Sequence, residues 1–142
     1  MIDGNAMFKA RILMVDDDHL IRQMTRDLLE IGGHFVKEAL DGADALRQAA
    51  PFHPDVILLD LMLPDMDGYA VCRTLKVDPA TRAIPVIFLT ASNAIDVTRR
   101  AAAAEVAACL TKPFALNALL AVVATTLEAA VREERKGTEN RS

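Results

Sequence analysis

Three consecutive acids, Asp16, Asp17 and Asp18, close an apolar run in the stretch RILMVDDDHLIR, residues 11–22. Neighbouring carboxylates disfavour one another's ionisation, so the cluster costs stability unless a cation sits among them or water solvates each one. Taken alone, the triplet fits either a cation site or a solvated turn in which one acid caps the helix that starts near His19. Other groups with chemical capacity stand at intervals along the chain: Asp60 ends DVILLD, Thr90 ends PVIFLT and Lys112 follows AACLT. A carboxylate ligates hard cations or attacks an electrophile, a hydroxyl donates a hydrogen bond, and an ammonium is a point charge for an anion. Their joint meaning depends on whether the fold brings them together.

Five short apolar or β-branched runs read as strands: residues 10–15 (ARILMV), 34–39 (HFVKEA), 55–60 (DVILLD), 85–90 (PVIFLT) and 107–111 (AACLT). The first, third and fourth are nearly continuous apolar runs, as in strands covered on both faces. Helical patterns occupy residues 19–31, 43–50, 68–77, 94–104 and 115 to about 134. Gly32 and Gly33 stop the first helix, Asp41 and Gly42 turn into the second, and Asn93 with Asp96 forms an acidic helix-start cap. Five alternating β/α units predict an α/β fold, a doubly wound five-stranded parallel sheet. In such sheets ligands bind outside the carboxyl ends of the strands, where the strand order reverses. Asp16, Asp17, Asp60, Thr90 and Lys112 all fall at those ends. Four strands each delivering a metal- or phosphate-competent group to one rim favours the cation-site reading of the acids.

Composition limits the remaining classes. The chain has 142 residues, 52% of them apolar, and a net charge of -4. That is enough to bury one core, with residues 1–8 as an N-terminal extension, 9–134 as the domain and 135–142 as a flexible polar tail. No apolar run approaches a membrane span and no basic leader precedes an apolar core, so a cytoplasmic location without membrane insertion is expected. The acidic balance without a basic cluster argues against direct nucleic-acid binding. His19, His34 and His53 lack ligand spacing and read as surface histidines. Cys72 and Cys109 lack metal spacing and read as buried thiols.

The motifs ILMVDDD, DVILLDLMLPDMDG, VIFLTAS and LTKPF, in this order and spacing, resemble the receiver domain of two-component response regulators over about residues 9–128. The resemblance implies a flavodoxin-like sheet of strand order 2-1-3-4-5. It implies that Asp60 is the phosphoacceptor, attacking the phosphorus of a phosphohistidine on a sensor histidine kinase or histidine phosphotransfer protein. It implies Mg²⁺ as cofactor, held by Asp16 mainly through water and directly by Asp17, Asp60 and the backbone carbonyl of Met62. Lys112 and Thr90 would contact phosphoryl oxygens, and the bond from Lys112 to Pro113 would be cis. The resemblance further implies a phosphoacceptor and not a multiple-turnover enzyme, a monomer or weak dimer that switches binding to a downstream protein.

Two positions depart from the family pattern. Cys109 stands where most members carry Tyr or Phe, a small core-compatible residue in place of a ring. Glu105 stands where many have a glycine ending the fourth helix. An unphosphorylated receiver-like binding module would be favoured by loss of Asp60, Lys112 or the acid pair, and all are present. A Mg²⁺-dependent phosphohydrolase of the haloacid dehalogenase type would carry an acid two residues after its nucleophile, and that position is Met62. Pro64 and Gly68 read as turn residues shaping the loop beside Asp60.

Overall fold

The computed structural model describes residues 9–90, 106–112 and 114–139, with side chains placed up to residue 134. The expected helix over 94–104 with its Asn93 cap, the Glu105 departure and the Pro113 peptide lie outside the described residues.

The strands are β1 (Arg11–Val15), β2 (Phe35–Ala39), β3 (Val56–Asp60), β4 (Val86–Thr90) and β5 (Ala108–Thr111). All pair in parallel, in the order β2-β1-β3-β4-β5. The helices are α1 (His19–Ile31), α2 (Gly42–Phe52), α3 (Gly68–Val77) and α4 (Leu116–Glu139). Every residue of β3 and β4 is buried. Side-chain alternation sends Leu13, Val15, Ile57, Leu59 and Phe88 to a face covered by α2 and α3, through Ala45, Ala49, Val71 and Leu75. Ile12, Met14, Leu58, Ile87 and Leu89 go to the face covered by α1 and α4, through Leu29, Leu119 and Val123. Strands covered on both faces need the uninterrupted apolar runs that the sequence carries. Truncating one such fully buried leucine to alanine typically costs about 2–5 kcal/mol.

The chain leaves β1 for β2 on one side and reaches β3 on the other, so the order reverses between β1 and β3. The register sets Val15 beside Leu59 and Asp60 beside Leu89. The residue after each strand therefore emerges on the same rim.

Local chemistry ends the elements. Asp18 caps α1, its carboxylate accepting from the Ile21 N–H at 3.1 Å. Gly33, at a φ of 90°, takes the chain into β2. The second helix runs to Phe52, beyond the expected stop at residue 50, with Pro51 in its last turn and His53 in the left-handed conformation as its cap. A proline so near the end removes little of the hydrogen-bond ladder. The last helix continues to Glu139, into residues expected to form the polar tail. Glu128 and Arg132 pair four residues apart on its exposed side, and residues 128–134 are mostly good helix formers.

Two further expectations are corrected. His34 is half-buried rather than a surface residue, and its Nδ1 accepts the Ala10 N–H at 3.1 Å. Cys72 is buried, but Cys109 is exposed. Alternation along the edge strand β5 directs Ala108 and Leu110 to the α1 and α4 face and turns Cys109 away from it.

Candidate functional site

The acid pair and Asp60 meet at the switch between β1 and β3. Asp16 is fully buried, Asp60 nearly so, and Asp17 is exposed. One carboxylate oxygen from each of the three lies within 4.8 Å of the others. Lys112 reaches in from the end of β5, its Nζ 2.8 Å from Asp16 Oδ2 and 3.2 Å from Asp60 Oδ2. A backbone hydrogen bond of 2.7 Å from the Lys112 N–H to the Thr90 carbonyl sets the level from which the lysine projects. Thr90, buried at the end of β4, completes the row of strand ends.

Each buried polar atom of Asp16 has a task. Its Oδ1 accepts the Asp18 N–H at 2.9 Å, its Oδ2 accepts from Lys112, and its backbone N–H donates to Ala39. Its backbone carbonyl accepts from Arg22 Nη1 at 2.9 Å. Asp60 Oδ1 accepts the Met62 N–H at 3.1 Å. Burial pushes the Asp60 carboxyl above the ordinary carboxylate range, with Asp16 adding to the rise, while the Met62 N–H and Lys112 offset part of it. Burial alone would lower the Lys112 pKa, but its hydrogen bonds and charge contacts with Asp16 and Asp60 raise it overall.

Three carboxylates thus face one ammonium, an oxygen-rich set with an excess of negative charge. That donor set fits a hard, small cation such as Mg²⁺, which takes one or two carboxylates and keeps several waters. Asp18 stands apart from the set as the α1 cap. Met62 is largely exposed, and its backbone begins the loop that leads from Asp60 to α3.

That loop is fastened at both ends. Gly68 donates its N–H to Leu61 O at 3.0 Å, and a Cβ there would lie 2.7 Å from the Asp60 carbonyl oxygen. The glycine read as a turn former is thus demanded by the close approach of α3 to the end of β3. Asp65 accepts from Gly42 N and Ala43 N at 2.8 and 2.9 Å, joining the loop to the first turn of α2.

Sequence reasoning assigned no role to Arg22 or Asp65. The signal for Arg22 was a cation on the stripe of α1 that also carries Thr25 and Leu29, all three buried. Asp65 caps a helix more than 20 residues away in the chain, and no local pattern announces such a partner.

A parallel five-stranded sheet of order β2-β1-β3-β4-β5, with an acid cluster and a lysine at its switch point, defines an α/β domain of the flavodoxin-like class. The chain belongs to the response regulator receiver domain family, whose model matches residues 12–124. It is 40% identical to the DNA-binding dual master transcriptional regulator RpaA of Synechocystis over 82% of the chain and 48% of that protein. It is 37% identical to the response regulator MprA of Mycobacterium ulcerans over 92% of the chain and 55% of that protein. The chain spans about half the length of these curated relatives. Among solved structures, chemotaxis response regulator CheY4 of Vibrio cholerae superposes with a TM-score of 0.78 at 30% identity, covering 83% of the chain and 98% of CheY4. Among the described residues no helix is long and apolar enough to cross a membrane.

Proposed function

We propose that the chain is a receiver whose Asp60 takes a phosphoryl group from a phosphohistidine on a sensor histidine kinase or phosphotransfer protein. The observation that carries this reading is the Lys112 ammonium shared between the buried carboxylates of Asp16 and Asp60, with exposed Asp17 alongside. An Asp60 carboxylate oxygen attacks phosphorus, the bond from phosphorus to the donor nitrogen breaks, and the electron pair leaves with the imidazole. Because attack needs the ionised carboxylate, the Met62 N–H and Lys112 serve by favouring that form against burial. Lys112 then exchanges contact with Asp60 for contact with a phosphoryl oxygen, and the Thr90 hydroxyl donates to another. Mg²⁺ held by Asp16, Asp17, Asp60 and the Met62 carbonyl would neutralise charge developing on the phosphoryl oxygens.

The acceptor set supports this reading over an unphosphorylated binding module. Met62, two residues after Asp60, has no acid to give a leaving group, so a haloacid dehalogenase type of phosphohydrolase lacks its proton donor. The reading makes the protein a cytoplasmic switch, a monomer or weak dimer acting on a downstream protein.

Acetyl phosphate with Mg²⁺ should add one phosphoryl group by intact-mass spectrometry, and Asp60→Asn should take up none, because an amide is no competent nucleophile. Undiminished modification of Asp60→Asn would remove Asp60 from the role.

A further inference from the structure

We propose that Arg22 is a positioning residue for the cation site, holding exposed Asp17 in place from beneath through the backbone. The inference rests on the reading of Asp16, Asp17 and Asp60 as a Mg²⁺ site, and concerns how this chain builds it.

Arg22 lies one turn into α1, and its own N–H makes the first helical bond to Asp18 O at 2.9 Å. Its side chain turns back toward the helix start, as helical side chains do, and is buried under the acidic turn. Nη1 donates to the Asp16 carbonyl at 2.9 Å and Nε to Glu38 Oε1 at 3.1 Å, while Nη2 lies 3.3 Å from His19 Nδ1. The guanidinium therefore ties the β1 end, α1 and β2 together at one point.

The consequence falls on the next residue. The Asp16 carbonyl belongs to the rigid plane that also contains the Asp17 nitrogen and Cα. The plane on the other side of Asp17 ends in the Asp18 N–H, which is held by Asp16 Oδ1 at 2.9 Å. Both peptide planes flanking Asp17 are thus anchored, the first by Arg22 and the second by Asp16. Asp17 has no burial to hold its carboxylate still, so its direction comes from its backbone. A cation that demands near-octahedral geometry tolerates little error in that direction.

Stability alone is a weaker account of the pair. Replacing a buried ion pair with apolar packing is often neutral or stabilising. Simple electrostatics also has the opposite sign from positioning: the Arg22 charge repels a dication, so its loss alone would tighten Mg²⁺ binding.

The test is calorimetric titration of the full chain with Mg²⁺. Arg22→Met combined with Glu38→Gln removes one charge of each sign and leaves the net charge unchanged. We expect this variant to bind Mg²⁺ about tenfold more weakly, the size of effect seen when supporting partners of a metal site are removed. Its acetyl phosphate labelling at saturating Mg²⁺ should return to the wild-type rate. Arg22→Lys keeps the charge but cannot span both acceptors, and should fall between the two. Arg26→Met, which takes a charge from the same network without touching Asp16, should leave Mg²⁺ affinity at the wild-type value. Wild-type or tighter affinity in the double variant overturns the proposal. If the double variant does not fold, the same result in Arg22→Lys overturns it. A wild-type chain that takes up no Mg²⁺ would overturn the metal reading and this inference together, whereas failure in the variants alone would leave the metal reading standing.

Discussion

At the residue scale the balance of charge around Asp60 decides what the site costs the fold. Three acids were legible because they sit at predicted strand ends, and the sequence placed the cost of repulsion on the consecutive triplet Asp16, Asp17 and Asp18. The structure places the burden elsewhere: Asp17 is exposed, while Asp60 is buried beside Asp16 and its carboxyl is pushed up by that burial. A carboxyl raised in the folded state favours folding only while protonated, so stability is lost as pH rises through its folded value, and the loss persists at neutral pH. Asp60→Asn removes that loss and can still accept from Met62 or Lys112. It should raise the apo melting temperature by roughly 2–4 °C, equivalent to about 1 kcal/mol in a chain of this size and kept small by partial solvent screening. Scanning calorimetry at pH 7 without divalent ions checks this, and a lower midpoint would contradict it. Arg22 stayed hidden for a physical reason. Its place on the buried stripe of α1 was legible, but its partners lie in other elements, here Glu38 in β2, and local spacing does not name them.

At the element scale, strands and caps were legible to within a residue or two, because alternation, glycine and acid caps are local properties. The end of the last helix was not: α4 continues to Glu139, past the residues expected to begin a polar tail. Gly68 shows the difference between a correct residue and its cause. It was legible as turn punctuation, but the need for glycine comes from the Asp60 carbonyl oxygen and Leu61 Cα, each 2.7 Å from where a Cβ would sit. Both obstacles are backbone, so α3 or the end of β3 must shift. Gly68→Ala should lower stability by about 1–3 kcal/mol, the usual cost of overpacking, and slow acetyl phosphate labelling by displacing Asp60, the proposed acceptor. Urea melts and initial rates of acetyl phosphate labelling read the two effects. A stable variant labelled at the wild-type rate would show that the approach is not restrictive.

At the scale of the whole molecule, pH and the proposed Mg²⁺ act on one fold through separate sites. His34 sits where β2 begins, and burial lowers its pKa from the ordinary 6.5, so its Nδ1 stays free to accept the Ala10 N–H. With the folded value below the unfolded one, the unfolded chain binds the extra proton first. The contribution is complete above pH 6.5 and is lost as pH falls through the window below it. His34→Asn should flatten the pH dependence of stability there, measured by urea melts from pH 7 to about 5. Mg²⁺ at a hundred times its dissociation constant should add about 2.7 kcal/mol to stability, and Asp17→Ala should lose most of that gain. The pairing at the centre of the site also has a consequence for synthesis. Asp16 and Asp60 leave the ribosome long before Lys112, which follows Asp60 by 52 residues. At ordinary translation speeds that gap is about 3–10 s. During it the nascent β1 and β3 present two acids to each other without the ammonium that will join them. A cation of the surrounding solution, water around each acid, or delay in closing those strands would bridge the interval, so the last strand to be made is the one that lets β1 and β3 settle.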